Sequence, residues 1–162
     1  MSNANAVVEA GPAGIGGWLG LLAFGQTVGP LRTLGQISQS MDDYTATMTV
    51  PGGPMAVYGE VAINLVFFGI QVAVAIALWR KSTHFRRLFL LQWFAIPAVF
   101  VLDMAWVSGT LGVSVDKLMT PDTLGSTIGS MIGVGLWVWY VFASKRVKNT
   151  FVGPRVDTSA FA

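Results

Sequence analysis

The sequence predicts an all-α membrane protein that crosses the bilayer with four helices, and three observations lead to this prediction. Hydrophobic residues make up 53% of the 162-residue chain and charged residues only 11%, whereas soluble domains carry about 25% charged residues. The apolar residues fall in four runs, each close to the roughly 20 residues that a helix needs to cross the hydrocarbon. Most of the cations lie in two short clusters beside these runs. Lipid is therefore the expected solvent for most side chains.

The first span, predicted over residues 15–35, carries the weakest signal. It is short and rich in glycine, with Pro30 and Arg32 near its end. Glycine and proline are tolerated in spans when neighbouring helices cover the backbone. An interfacial or re-entrant segment is the alternative for this stretch.

The other three spans are predicted over residues 56–79, 88–107 and 124–143. Pro97 lies in the middle of the third span and cannot donate a backbone hydrogen bond there, which favours a kink. Two polar connections, 36–55 and 108–123, are interpreted as external loops, and the alternation from Tyr44 to Val50 allows a short hairpin in the first. The domain is expected over residues 14–152, between a flexible N-terminus (1–13) and a C-terminal tail (153–162).

The distribution of cations predicts the orientation. One cluster connects spans two and three, and the other follows span four: Arg80, Lys81, Arg86, Arg87, then Lys145, Arg146, Lys148 and Arg155. Loops rich in lysine and arginine stay in the cytoplasm. Two crossings separate the clusters, so both can lie inside, and the two termini are then predicted to be cytoplasmic.

Charged groups within spans are costly and mark candidate functional sites. Arg32, Glu60 and Asp103 fall at similar depths near the outer ends of three spans, where one cation and two carboxylates could pair. At 100° per residue, Glu60, Asn64 and Gln71 share one face of span two. Gln92 and Asp103 likewise share a face of span three, and Gly25, Gly29 and Arg32 share a face of span one. The sequence thus predicts a polar seam between the first three helices. It is either a proton, ion or solute site or a set of structural contacts.

The last span carries a repeat of small residues, Gly125, Gly129 and Gly133. This small-xxx-small spacing allows close helix packing. The partner is either another span of the same chain or a second molecule, and the pattern does not choose between them.

Several kinds of chemistry are not expected. The chain has no cysteine and a single histidine, His84, which lies in a charged connection. No catalytic, metal-binding or cofactor-binding constellation is visible, and the cations form no groove for nucleic acid. The chain is therefore predicted to be non-enzymatic and to need no cofactor.

The two ends of the domain resemble a known family. The string Gly14-Ile15-Gly16-Gly17-Trp18-Leu19 with Pro30-Leu31, and the closing Ser144-Lys145-Arg146-Val147-Lys148-Asn149-Thr150-Phe151, are similar to the start and end of the bacterial inner-membrane DUF2569 family, a domain of unknown function. The resemblance implies a four-helix protein of the bacterial inner membrane, with the weak first segment counted as a span. It also suggests that the glycines beside Trp18 serve packing and that residues 145–151 act at the inner face. It implies no activity and no catalytic residue.

The predicted function is that of a non-enzymatic helix bundle in the lipid bilayer, acting by self-association or as a small accessory subunit of a membrane complex. The alternative is a small transporter or a proton- or ion-coupled channel that uses Arg32, Glu60 and Asp103. The sequence identifies neither a partner nor a solute.

Overall fold

The structure is a computed structural model that describes residues 11–151. Residues 1–10 of the predicted flexible N-terminus (1–13) lie outside the described residues. All of the predicted C-terminal tail (153–162) does so too. Within 11–151 the chain is helical apart from its connections, with no strand. The helices are α1 (Trp18–Gln39), α2 (Met41–Thr47), α3 (Gly53–Trp79), α4 (Phe85–Leu111), α5 (Val115–Leu118), α6 (Pro121–Ala143) and α7 (Lys145–Phe151).

Three of these helices, α3, α4 and α6, are long and apolar enough to cross a membrane. Few of their residues are covered by the rest of the protein, and many large side chains, such as Val66, Val101 and Ile132, are more than half exposed. In a bilayer, lipid chains solvate such faces. The predicted fold class is therefore confirmed as all-helical with membrane-type helices.

Helix α1 is not among these three, although it is 22 residues long. Polar residues interrupt its apolar run, including Gln26, Arg32 and Gln36. The helix continues to Gln39, beyond the predicted limit of residue 35. Ser40 is its C-cap residue, and the backbone N–H of Ser40 donates to the Gln36 carbonyl at 3.1 Å.

The predicted hairpin at Tyr44–Val50 is wrong. This connection contains α2 instead, which ends at Thr47. Asp42 and Asp43 lie in its first turn, where the partial positive charge of a helix N-terminus favours carboxylates. Tyr44 is 8% exposed. The helix thereby buries the aromatic residue that a short, exposed hairpin would leave open.

Helices α3 and α4 form an antiparallel pair joined by a tight turn. The N–H of Ser82 donates to the carbonyl of Ala77 at 2.8 Å, and that of Lys81 donates to Leu78 at 3.0 Å. This pair of bonds is the Schellman arrangement, which satisfies carbonyls left over at a helix end. Lys81 adopts a φ of 51°, in the left-handed region.

Helix α6 packs against α4 through one side only. The indole Nε1 of Trp93 donates to the carbonyl of Met131 at 2.9 Å. Trp93 also lies against Gly135, where an added Cβ would be 3.3 Å from that nitrogen. The opposite side of α6 carries exposed residues, among them Ile128, Ile132 and Leu136.

The apolar core lies at one end of the bundle, called here the α7 end. Phe151 of α7 stacks on Phe85 with ring centroids 4.5 Å apart, and Phe85 stacks on Phe89 at 5.7 Å. Buried residues at the start of α1, at the ends of α3 and α6 and within α7 surround these rings: Leu19, Leu22, Ala23, Val74, Ala77, Leu78, Val141 and Val147. The other end, called the α2 end, holds the polar residues described next.

The segment before α1 docks on α7. The backbone N–H of Gly14 donates to the Thr150 hydroxyl at 2.9 Å. Trp18 approaches Trp137 of α6, with ring centroids 6.1 Å apart. A Cβ added at Gly16 would lie 3.0 Å from the Arg146 guanidinium. The two sequence strings at the ends of the domain are thus in direct contact.

Candidate functional site

A polar cavity of about 250 Å³ lies at the α2 end and is called here the carboxylate cavity. It contains Glu60 and Asn64 from α3 and Asp103 from α4, three of the four residues of the predicted polar cluster. The remaining lining comes from α1, the residue between α1 and α2, and α2 itself: Thr33, Gln36, Ile37, Ser40 and Tyr44. Arg32, the fourth predicted member, does not line it.

The Tyr44 hydroxyl donates to the Glu60 carboxylate at 2.9 Å, and this bond holds α2 over the cavity. Sequence reasoning missed Tyr44, because its position in an external loop gave no reason to place it beside a span. Burial raises the pKa of the Tyr44 phenol to about 12, and the hydrogen bond and negative charge of Glu60 act in the same direction. The phenol is therefore neutral at physiological pH and available as a donor.

Asn64 and Asp103 complete the polar surface in different ways. The Asn64 amide donates to the backbone carbonyl of Glu60 at 3.1 Å, so it does not bond the carboxylate. The Oδ1 atom of Asp103 is buried without a hydrogen-bond partner. A buried polar atom left unpaired costs about 1–3 kcal/mol, more when charged. Asp103 is thus an acceptor with unused capacity.

A second cavity, of about 340 Å³, lies between α1, α3, α4 and α6 and is called here the glutamine cavity. Three glutamines from three helices converge on it: Gln26, Gln71 and Gln92, each less than a tenth exposed. Arg32 lines this cavity too and is, among the described lining residues, the only one with a formal charge. Arg32 and the two carboxylates with which it could pair therefore line different cavities.

The hydrogen bonds of these glutamines are incomplete. Gln71 Oε1 accepts from the Thr33 hydroxyl at 3.1 Å, and that hydroxyl also lies 3.3 Å from the Gly29 carbonyl. Gln92 Oε1 is buried with no partner. Most buried side-chain polar atoms in proteins do have a partner. The glutamine cavity thus combines polar groups with spare bonding capacity and enough space for a small molecule.

The two cavities are adjacent, since both are lined by Thr33 and Gln36. The predicted polar seam is resolved into these two parts. Gln71 and Gln92 line the glutamine cavity together with Gly25, Gly29 and Arg32, while Glu60, Asn64 and Asp103 line the other. Sequence reasoning did not single out Gln26. Its signal was available, because Gln26 precedes Thr33 by seven residues and so shares its helix face.

The predicted packing face of α6 contacts nothing within the described chain. An added Cβ at Gly125, Gly129 or Gly133 would meet no atom within 4 Å. Close packing against α4 uses Gly135 instead, one of the glycines outside the predicted repeat. Of the two partners that the sequence left open, another span of the same chain is not the one seen here.

Within residues 11–151, no group of three or more histidine, aspartate or glutamate side chains is placed to hold a metal ion. The polar residues instead form two cavities in an otherwise apolar helical protein, which defines the class as a membrane-type helical protein with an internal polar site. The chain belongs to the family described as protein of unknown function (DUF2569), whose model matches residues 12–152. No curated protein and no solved structure matches this chain.

Proposed function

We propose that this chain is a non-enzymatic protein of the bacterial inner membrane that binds, and moves across the bilayer, a small polar solute held in the glutamine cavity. One observation carries the proposal: three glutamines, each from a different helix, are buried together around a space of about 340 Å³. Polar side chains in a membrane interior are expensive and usually face a substrate path or a water-filled cavity. Plain helix packing would pair these amides with one another, and Gln92 Oε1 has no partner.

The proposal includes four spanning helices, with α1 as the fourth and both termini in the cytoplasm. The contact between Gly14 and Thr150 supports an even number of crossings, because it brings the segment before α1 beside the helix that follows α6. The length of α1 also supports it, since 22 residues extend about 33 Å at 1.5 Å per residue. Two of its polar residues, Gln26 and Thr33, are buried against the rest of the protein.

Cysteine accessibility tests whether the cavity is hydrated, and the absence of native cysteine makes every introduced thiol unique. Ser130 lines the glutamine cavity, and serine and cysteine are close in size. The Ser130→Cys variant is expected to react with a small water-soluble thiosulfonate reagent in native membranes, because the reactive thiolate needs water. Ile132→Cys is the matched control, two residues away on the lipid-facing side of α6, where Ile132 is 62% exposed.

The expected result is labelling of Ser130→Cys and protection of Ile132→Cys. Equal resistance at the two positions would mean that water does not enter the cavity, and the solute-binding proposal would then be abandoned. A fluorescence-detected size-exclusion profile of each variant verifies that both are folded.

Association through α6, with a second copy of the chain or with a different subunit, is a second candidate function. A specific observation favours it: Gly125, Gly129 and Gly133 form an open face that no described residue covers. Backbones approach closely at such faces in membranes. Ser126 lies on the same side as Gly133, seven residues apart.

Oxidative crosslinking tests this second candidate. Ser126→Cys is expected to give a disulfide-linked dimer in native membranes, because a two-fold axis brings identical residues together. The control is Leu102→Cys on the exposed face of α4, where Leu102 is 54% exposed. Dimers in both variants would indicate random collision, and dimers in neither would argue against association through this face.

A further inference from the structure

We infer that the solute of the glutamine cavity is a small monocarboxylate that carries a hydroxyl group. Arg32 would bind the carboxylate, and Gln92 would accept a hydrogen bond from the hydroxyl. This inference rests on the proposed function, since it names the chemistry of the solute in that same cavity.

The sign of the charge comes from the lining. Arg32 is the single formally charged residue among the described residues that line the glutamine cavity. A cation attracts an anion and repels a second cation. Its planar fork of donors matches the two oxygens of a carboxylate. One positive charge is balanced by one negative charge, so a monoanion fits better than a dianion such as sulfate.

The hydroxyl group is inferred from the state of the amides. Gln71 Oε1 already accepts from Thr33 at 3.1 Å, whereas Gln92 Oε1 has no donor. A hydroxyl supplies that donor without adding charge. An ammonium group would also donate, but it would place a second positive charge in a cavity whose described lining has no carboxylate.

The neighbouring carboxylates lower the affinity of the glutamine cavity for an anion. Glu60 and Asp103 line the adjacent cavity, which meets the glutamine cavity at Thr33 and Gln36. Their negative charge opposes an anion that approaches from the α2 end. They therefore weaken the binding of a monocarboxylate, and neutralising them strengthens it.

A set of four compounds of similar size tests the inference through protection of Ser130→Cys from the thiosulfonate reagent. Lactate has both groups, propionate lacks the hydroxyl, alanine replaces it with an ammonium, and 1,2-propanediol lacks the carboxylate. Lactate is expected to slow labelling at the lowest concentration. Arg32→Gln is expected to raise the lactate concentration for half-protection by about tenfold or more, and Arg32→Lys by less. The Glu60→Gln, Asp103→Asn double variant is expected to lower that concentration.

Each outcome decides between alternatives. Labelling of Ser130→Cys without any protection by lactate contradicts this inference and leaves hydration of the cavity standing, whereas an unlabelled Ser130→Cys removes the proposed function itself. Equal or better protection by alanine or 1,2-propanediol also contradicts the inference. So does protection that survives Arg32→Gln unchanged, or that disappears in the double variant, since the last result would assign the solute to the carboxylates.

Discussion

At the scale of single residues, Gly59 sets how closely α3 and α4 approach at the α2 end. The Trp106 indole lies across the Gly59 backbone and donates from Nε1 to the Met55 carbonyl at 3.2 Å. A Cβ added at Gly59 would overlap the indole ring. The close approach thus depends on glycine, although nothing in the sequence around Gly59 separates it from the other glycines of the spans.

Gly59→Ala is expected to destabilise the protein by roughly 1–3 kcal/mol, as overpacking does elsewhere. The matched control is Gly69→Ala in the same helix, where an added Cβ meets nothing within 4 Å. Alanine favours a helix over glycine by up to about 1 kcal/mol, so the control should be neutral or stabilised. Thermal unfolding in detergent measures both. Equal shifts in the two variants would contradict the role given to Trp106.

Tyr44 gives a prediction about alkaline pH. Its pKa is raised to about 12 by burial, and then by the hydrogen bond and charge of Glu60; a free tyrosine has a pKa near 10. Because the folded value is the higher one, the stabilisation is complete below about pH 10 and is lost as the pH rises through about 12. We expect α2 to detach in that range.

The phenolate absorbance of the wild type minus that of Tyr44→Phe should therefore titrate near pH 12. Tyr58→Phe provides the comparison, since Tyr58 is 67% exposed. Identical curves for the two differences would show that Glu60 does not hold Tyr44 in solution.

At the residue scale the sequence predicted the carboxylate cavity only in part. Glu60 and Asp103 are identified by charge in an apolar span and Asn64 by its helical spacing from Glu60, and these three residues line one cavity. Arg32, which the sequence grouped with them, lines the glutamine cavity instead. Helical spacing gives the face of one helix, whereas the meeting of faces depends on the crossing of α1 with α3, which no local pattern encodes. Tyr44 was missed for a similar reason.

At the scale of elements, α7 closes the apolar core although it has only seven residues. Val147 and Phe151 are buried on one side of it, while Lys145 and Lys148 are exposed on the other. A helix of this length is not stable alone in water. Its folding is therefore maintained by the stacking of Phe151 on Phe85.

Phe151→Ala is expected to cost about 3–5 kcal/mol, the usual loss for a buried phenylalanine. The matched control is Phe94→Ala, because Phe94 is 57% exposed on α4 and faces lipid. Denaturant titration in mixed micelles compares the two. A loss at Phe151 no larger than that at Phe94 would indicate that α7 is not packed on the bundle in solution.

The sequence predicted the spanning elements better than the short ones. The cores of α3, α4 and α6 follow the predicted ranges, because their length and hydropathy leave no other solution in lipid. The helix α7 was not predicted, since two buried residues among cations resemble a solvated tail. The short α5 falls in a stretch that was interpreted as a loop for the same reason.

At the scale of the whole molecule, the proposed topology makes a pattern of accessible sites. Ala13 and Thr83 lie at the α7 end and Thr49 at the α2 end, and all three are exposed. Single cysteines at these positions in intact cells should be labelled by an impermeant maleimide only at Thr49→Cys. Permeabilised cells should show labelling at all three and serve as the control. Labelling of Ala13→Cys in intact cells would mean that α1 does not cross.

The division of the bundle into an apolar end and a polar end was not predicted as such. The residues of both ends can be identified in the sequence. Phe85, Phe89 and Leu78 are recognisable as apolar core candidates, and Glu60 and Asp103 as charged residues within spans. How tightly each end closes depends on the packing of α1 against α3 and of α6 against α4. Those contacts join residues far apart in the chain.

The docking of Gly14 on Thr150 spans 136 positions of the chain. A ribosome must make nearly the whole domain before this contact can form. The segment before α1 therefore cannot dock until α7 has been synthesised. A product that stops before residue 145 would leave Phe85 and its neighbours uncovered at the edge of the membrane. Membrane proteases could recognise this uncovered apolar surface and so remove the truncated chain.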